Sequence, residues 1–384
     1  MLVQIHVLRS SPVGSANHGK DGMPKTTYFG GSQRARISSQ ALKRAIRMDP
    51  DFRETLKGTL GERTRTLPAL IRAELEKLTE DKITIDAIVE KLMGLGKEAK
   101  AKNKGEEEEE EEGDVTEAET TASLIYLAPH EPKDLAEHFL NIYTEWGEKK
   151  FEETEIRDLA KSFPAGKPIS SDIALFGRMT TSSAFMNVDA ATMFAHAISA
   201  NPERVESDYY TGGDDSSNAA HPVAMIGETG YTSAYFYEYA NLHYDTLLNN
   251  LGGDKSLALK TAEAFMRAFI FAMPAGKSHG MFNRTPPDLV IIEVSENNSP
   301  LTCAGAFESP IRSSEGHSVG DNTIAALIKY MTTIDKMYGL KNQRFILSIK
   351  PFEKDAKLPG EEVDTFTGML EKVTSQLAEK TKSR

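Results

Sequence analysis

Apolar and polar residues alternate at the start of the chain, where Val3, Ile5 and Val7 predict a half-buried strand over residues 2–8. Patterns of the same kind, and apolar residues at helical spacing, recur later in the chain. They predict strands at 233–240, 288–294 and 344–349, and helices at 189–200, 256–273 and 321–338. The last of these helices should be capped by Asp321 or Asn322 and closed by Gly339. The mixture of separate strands and helices is typical of an α+β fold.

A polar loop, followed by a predicted turn at Gly30–Gly31, separates the first strand from the first predicted helix. Ser38 and Ser39 are both suited to an N-cap, and the helix should run to Met48, before Pro50. Its apolar residues share one side, because residues three and four apart are neighbours on a helix. Its polar residues share another side: Gln40, Lys43, Arg44 and Arg47.

A long helical insertion divides the predicted sheet domain. Residues 51–162 are mainly helical in pattern, apart from a low-complexity segment near 97–121 that we expect to be disordered and acidic. Residues 201–232 are polar without a clear period, which predicts a long loop or a hairpin. The chain is therefore expected to be a sheet domain with insertions.

Charge is unevenly distributed along the chain. The net charge is −12, from 57 acidic and 45 basic residues, and seven of the acids form the run Glu106–Glu112. In contrast, residues 22–48 carry six cations and no acid. Salt screens charges that lie more than about 10 Å from a phosphate group, so nearby charges decide whether it binds. An acidic protein can therefore still bind nucleic acid at a locally basic surface. Charge alone leaves a second interpretation open, in which this stretch is a solvated basic surface.

The basic stretch also has the side chains that bind phosphate groups. Arginine and lysine supply charge, serine and glutamine supply neutral donors, and a helix that begins near Ser39 supplies free backbone N–H groups. Alternation should point Arg34, Arg36 and Ser38 to one side of an extended segment. These features favour a phosphate-binding surface.

Motifs for catalysis are missing from the sequence. The nine histidines are scattered without metal-ligand spacing, and neither a nucleophile elbow nor a Walker A loop is present. Cys303, the single cysteine, is expected to be buried and structural. We therefore expect no enzyme activity, no metal and no cofactor. The absence of a long apolar run and of a signal peptide at the start favours a cytoplasmic protein without a membrane partner.

Ordered sequence blocks carry a resemblance to a known family. The blocks are Ile5–Leu8, Asn17, Met23–Lys25, Phe29–Gly31, Arg34–Arg47, Asp172–Met179, Val188–Asp189, Ala195–Ile198, Tyr235–Asn241 and Pro274–Lys277. In this order they resemble the CasC-type (Cas-seven) backbone subunit of type I-E CRISPR Cascade. The block 30–47 is the most specific, and agreement is weak over 51–165 and beyond 300.

The resemblance implies a modified RRM-like (ferredoxin-like) palm, a helical fingers insertion and a protruding thumb. The palm would comprise residues 1–50, 166–199 and 233–384, the fingers 51–165 and the thumb 200–232. The resemblance also implies a non-catalytic role in antiviral defence, in which several copies polymerise along the spacer of a CRISPR RNA and present it to target DNA. Implied partners are the CRISPR RNA, the paired target DNA strand, adjacent copies of the chain, and the large, small, guide 5′-end-binding and guide-processing subunits.

The resemblance further implies which residues contact the RNA. In the loop, first strands and first helix they are Asn17, His18, Lys25, Arg34, Arg36, Ser38, Ser39, Gln40, Lys43, Arg44 and Arg47. A central loop would add Gly177, Arg178 and Met179, with Met179 as an apolar wedge against a base, and Lys277 would add a further contact. Met225 and Ile226 are candidates for the intercalating residues of the thumb. The loop departs from the family pattern at His18–Asp21, where relatives often carry an arginine and acids after the asparagine.

Two other functions stay open at this point. Related backbone subunits cut RNA with an aspartate in the corresponding loop, and Asp21 is the only acid between residues 9 and 48. A free-standing RRM-like RNA-binding protein is the second alternative, although the aromatic RNP1 string is absent.

Overall fold

A computed structural model describes residues 1–93, 121, 124–161, 163, 169–180, 184–213, 223–296, 299–350 and 358–382. The chain forms two compact units. Unit 1 comprises Met1–Thr55, Thr192–Asp245 and Leu259–Arg384, and unit 2 comprises Leu56–Ala191 and Thr246–Ala258. The predicted acidic segment near 97–121 lies outside the described residues, except for residue 121.

Unit 1 is built on one mixed sheet. Its strands are β1 (Leu2–Gly14), β2 (Thr26–Phe29), β3 (Ser32–Ile37), β6 (Thr192–Phe194), β7 (Ala197–Ser199), β8 (Glu206–Gly213), β9 (Val223–His243), β10 (Leu289–Ser295), β11 (Gln343–Ser348) and β12 (Glu361–Glu362), with β4 and β5 left for unit 2. The strand order is β12-β11-β10-β1-β9-β7-β3-β2, and β6 and β8 also pair with β9. The fold is α+β, as predicted, with a modified RRM-like sheet unit.

The first strand lies in the middle of this sheet and is longer than predicted. β1 pairs antiparallel with β10 on one side and with β9 on the other. Both of its faces are buried, so the predicted half-buried strand is wrong. The polar residues can be buried because they have partners: Gln4 Nε2 donates to Glu293 at 3.1 Å, and His6 Nδ1 lies 2.8 Å from the Tyr237 hydroxyl.

The predicted helices that end near residues 48, 273 and 338 are present, with bounds close to those predicted. The helices of unit 1 are α1 (Ser39–Met48), α2 (Pro50–Thr55), α11 (Val319–Tyr338) and α12 (Phe366–Lys382), while α9 (Tyr244–Asn250) and α10 (Lys255–Phe271) carry residues of both units. The predicted cap of α11 at Asp321 or Asn322 is wrong, because Ser318 is the N-cap and Asp321 completes its capping box. The helix ends at Gly339, as predicted, in a left-handed conformation with a φ of 62°.

Unit 2 is mainly helical, as the pattern predicts. It contains α3 (Leu67–Leu78), α4 (Lys82–Leu92), α5 (Glu131–Trp146), α6 (Glu148–Glu153), α7 (Ile156–Lys161), α8 (Ser171–Phe176) and a two-stranded sheet of β4 (Glu62–Thr64) and β5 (Ile125–Leu127). Phe139 and Phe151 lie in its apolar core at an edge-to-face angle of 89°. The described residues 169–180 and 184–191, which the resemblance assigns to the palm, lie in this unit.

One segment of unit 1 differs from the predicted secondary structure, and a second adopts one of two predicted alternatives. The predicted apolar helix at 189–200 is wrong, because residues 192–194 and 197–199 form β6 and β7, which pair with β9. Ladder hydrogen bonds to a neighbouring strand outweigh the weak helical preference of so short a segment. The predicted loop or hairpin at 201–232 is a hairpin, in which β8 pairs with the first part of β9. Residues 214–222, which follow β8 in the sequence, lie outside the described residues.

Candidate nucleic-acid interface

A tight hairpin positions the first cations of the acid-free stretch. β2 and β3 are joined by Gly30 and Gly31, which have φ angles of 57° and 75°. Positive φ at both central residues is the signature of the turn that suits a two-residue hairpin. Gly30 also passes against Glu308, whose carbonyl oxygen lies only 1.6 Å from the position a Cβ would take. The predicted turn is confirmed, and it also packs the hairpin onto the chain near residue 308.

The first helix presents the predicted cationic face. Ser38 is the N-cap, and its Oγ accepts a hydrogen bond from the Ala41 N–H at 3.3 Å. Asn17 Oδ1 accepts from the Ser38 N–H at 2.9 Å, so it ties the preceding loop to the start of α1. Leu42 and Ile46 are buried. The opposite side carries Gln40, Lys43, Arg44 and Arg47, which are exposed or half-buried, and no acid lies in the first turn.

Lys43 rests on an aromatic side chain that sequence analysis did not predict. Its Nζ lies 5.4 Å from the centre of the Phe194 ring, a cation–π geometry. Phe194 is held in turn by Phe265 and Phe269, at centroid distances of 5.9 and 5.7 Å. The aromatic cluster therefore limits the positions that this lysine can take. Phe194 comes from β6, so no local signal near residue 43 could have found the contact.

Three cationic or titratable groups converge beside α1. The Arg36 N–H donates to the Lys25 carbonyl at 2.9 Å, and Arg36 Nε donates to the Thr26 carbonyl at 3.2 Å. Arg36 Nη1 lies 3.0 Å from His196 Nδ1. Partial burial and the positive charges of Arg36 and Lys25 lower the pKa of His196. The structure thus brings Lys25 and Arg36 together and adds His196, which the sequence prediction did not include.

Arg34 has an internal role, which corrects its prediction as an RNA contact. Its side chain is fully buried, and Nη1 donates to the carbonyls of Ser199 and Ala200 at 2.9 and 2.8 Å. Nη2 donates to the carbonyls of Phe307 and Glu308 at 2.8 and 3.1 Å. Nε donates to Ser32 Oγ, so all five N–H donors are used within the protein. Arg34 and Arg36 therefore do not form one exposed row.

The loop before β2 is held in place by contacts from the segment around Lys277. Lys277 adopts a φ of 51°, and its Nζ donates to the Gly22 carbonyl at 2.8 Å. A Cβ on Gly276 would lie 2.5 Å from the Ala16 carbonyl oxygen, so the two segments pack with no space for a side chain. The structure thus gives Lys277 a loop-supporting contact. His18 is exposed in the same loop.

The predicted central-loop residues belong to unit 2 and differ from one another in exposure. Arg178 is buried, and its Nη1 lies 2.9 and 2.7 Å from the two carboxylate oxygens of Glu131. This buried ion pair corrects its prediction as an RNA contact. Gly177 ends α8 with a φ of 80°. Met179 is 94% exposed, as an apolar wedge would need to be.

The candidate residues of the β8–β9 hairpin are also exposed. Met225 and Ile226 lie opposite Gly212 and Thr211 in the ladder, and both side chains are mostly open to solvent. Tyr209 on β8 is exposed as well. Large apolar side chains on a surface are candidates for contact with a partner.

Neither a metal site nor a membrane-spanning helix is found in the part of the chain that the structure describes. Over those residues, no group of three or more His, Cys, Asp or Glu side chains is placed to hold a metal ion. None of the helices within the same ranges has the length and apolar character needed to cross a membrane. Cys303 is a buried free thiol, as predicted.

Comparisons with known proteins give matches along nearly the full chain. The family model described as "CT1975-like protein" matches residues 3–375. A chain of a solved "CRISPR RNA-guided surveillance complex, pre-nicking" is 27% identical with a TM-score of 0.78, and the alignment covers 98% of this chain and 100% of that one. A chain of a second "CRISPR RNA-guided surveillance complex" is 25% identical with a TM-score of 0.67, over the same shares of the two chains. No curated protein matches.

Proposed function

Because the chain belongs to the CT1975-like protein family, we propose that it is a non-catalytic CRISPR RNA-binding backbone subunit of type I-E Cascade. In this role it acts in the cytoplasm, in antiviral defence. The similar chains come from RNA-guided surveillance complexes, and the similarity covers nearly the whole of each chain. The type I-E assignment rests on the sequence resemblance described above.

One observation carries the proposal: the cationic surface of Lys25, Arg36 and the polar face of α1. Its side chains are those that bind phosphate and sugar, and the stretch 22–48 has no acid that would repel a phosphate. A guide must be held whatever its sequence, so a subunit that grips the backbone is suited to the task. Because the rest of the protein is acidic, it repels phosphates, and the attraction of RNA is restricted to this cationic surface.

We extend the proposal to assembly. Several copies lie along the spacer of the guide, present it for pairing with the target DNA strand, and bind the large, small, guide 5′-end-binding and guide-processing subunits. The β8–β9 hairpin, with Met225 and Ile226 exposed, acts as the thumb that kinks the guide at regular intervals. Met179 places an apolar side chain against a base.

RNA-length dependence of the assembly tests this function. Purified protein is mixed with unrelated single-stranded RNAs of increasing length, and the mass of each complex is measured by analytical ultracentrifugation. The proposal predicts equal affinity for unrelated sequences and a number of bound copies that rises in proportion to RNA length. A single bound copy at every length, or strong preference for one sequence, would contradict it.

The conservative substitution Asp21→Asn distinguishes the proposed non-catalytic role from RNA cleavage through Asp21. Asp21 Oδ1 accepts a hydrogen bond from the Met23 N–H at 3.0 Å, a local turn that an asparagine oxygen can also form. Asp21→Asn should therefore keep the loop while removing a metal-binding carboxylate. The proposal predicts that bound RNA stays intact with either protein in the presence of Mg²⁺. Cleavage by the wild type that is lost in Asp21→Asn would support an RNase instead.

A further inference from the structure

The contact between Arg36 and His196 fixes which nitrogen of the imidazole carries the proton. Arg36 Nη1 can only donate, and it lies 3.0 Å from His196 Nδ1, so Nδ1 is the acceptor. In the neutral ring the proton is then on Nε2. His196 is exposed, so this N–H group can donate to a ligand. His196 is not among the RNA contacts predicted from the sequence.

The charged groups around His196 favour an anion. Arg36 reaches it from β3, Lys25 lies just before β2, and the charges of both act on the imidazole. From α1, Lys43 lies over Phe194, two residues before His196. On β9, which pairs with this segment, Glu238 is buried and bound to Arg9 at 3.0 Å. A phosphate beside His196 would therefore meet the positive charges of Arg36 and Lys25.

We propose that His196 is a phosphate-binding residue of the RNA interface, which donates from Nε2 beside Lys25 and Arg36 and takes up a proton when RNA binds. The proposal rests on the proposed function, because it concerns the same surface. Protonation places a second proton on Nδ1, which then no longer accepts from Arg36. The Arg36 N–H group gains a phosphate oxygen as its new acceptor, so proton uptake and phosphate binding support each other.

The direction of the pH dependence follows from the charges. In the free protein, partial burial and the neighbouring cations lower the pKa of His196, so the ring is neutral at pH 7. A bound phosphate favours the imidazolium and raises this pKa. RNA affinity should therefore increase as the pH falls through the interval between the free and bound values. The gain can reach about tenfold for each unit by which binding raises the pKa.

A matched pair of variants tests this linkage. His196→Asn keeps an oxygen near the position of Nδ1 for Arg36 and removes the titration. His130→Asn is the control, because His130 lies in unit 2 beside Asp134. The dissociation constant of a short single-stranded RNA is measured from pH 5.5 to 8 at fixed ionic strength. In parallel, the pKa of His196 is measured by NMR with and without RNA.

We expect the wild type and His130→Asn to gain affinity as the pH falls, and His196→Asn to lose most of that gain and to bind several-fold more weakly at pH 6. The pKa of His196 should rise when RNA is added. If RNA binds but His196→Asn has the same pH profile as the wild type, the role of His196 is refuted and the proposed function stands. If the wild type binds no RNA at any pH, both are refuted.

Discussion

The cations at positions 43 and 47 of α1 allow a direct perturbation of the proposed RNA contact. Both belong to the polar face opposite Leu42 and Ile46, so their charges can be removed without opening the apolar core. We choose the double variant Lys43→Gln with Arg47→Gln, since glutamine retains part of each aliphatic stem. The lost cation–π contact between Lys43 and Phe194 should lower the free energy of unfolding by only about 0.5–1 kcal/mol.

The expected loss of affinity follows from counterion release. Each phosphate contact to a single strand contributes about 0.7 to the slope of log affinity against log salt. Two lost contacts should reduce the slope by about 1.4. If the variant and the wild type bind equally at 1 M salt, the variant should bind roughly 25-fold more weakly than the wild type at 0.1 M salt. Because a phosphate contact carries no sequence information, the loss should be the same for unrelated RNA sequences.

The assay is fluorescence anisotropy of a labelled single-stranded RNA, short enough for one copy, at four or more salt concentrations. The control variant carries Lys329→Gln and Lys336→Gln, which remove two exposed lysine charges from α11 of the same unit. The control should bind RNA with nearly the wild-type slope. An unchanged slope in the α1 variant, or a loss of affinity for only one RNA sequence, would refute the proposed phosphate contacts of Lys43 and Arg47.

Three further predictions follow from single residues. Arg34→Met should lower the free energy of unfolding by about 3–5 kcal/mol, because four carbonyls lose their donor and three of these hydrogen bonds are buried. Chemical denaturation measures this, and a change under 1 kcal/mol would contradict the internal role. Gly30→Ala should destabilise the protein clearly more than Gly31→Ala, because both residues have positive φ but only Gly30 faces the Glu308 carbonyl. Equal decreases of the melting temperature in the two variants would be inconsistent with this close approach. Met179→Ala should change the free energy of unfolding by less than about 0.5 kcal/mol, because the side chain is exposed. The same variant should reduce the fluorescence change that a 2-aminopurine in the RNA shows on binding. An unaltered fluorescence change would rule out Met179 as the apolar wedge.

Features with local causes could be predicted from the sequence. The start, end and two faces of α1 follow from Ser38, from Pro50 and from helical spacing, and all of them lie within one short stretch. The Gly30–Gly31 turn is local in the same sense. The same reasoning found the strand at 343–348 and the end of α11 at Gly339.

Features with distant causes could not be predicted in this way. Arg34 binds carbonyls 165 and 273 residues away along the chain, so its burial has no local signal. Arg36 and His196 are 160 residues apart, which is why the histidine was not a sequence candidate. The predicted helix at 189–200 is wrong for the same reason: this segment forms β6 and β7, whose pairing partner β9 lies further along the chain. A basic residue in a motif can therefore serve the fold as well as the ligand.

Co-purification from cells tests whether several copies of the chain assemble on one guide RNA. The tagged chain is expressed with the other Cascade subunits and a CRISPR array, and the particle is examined by native mass spectrometry together with the length of its RNA. The account predicts a large particle that holds several copies of this chain for each CRISPR RNA of uniform length. An RNA-free monomer under the same conditions would contradict it and would mean that the cationic face of α1 is a solvated surface.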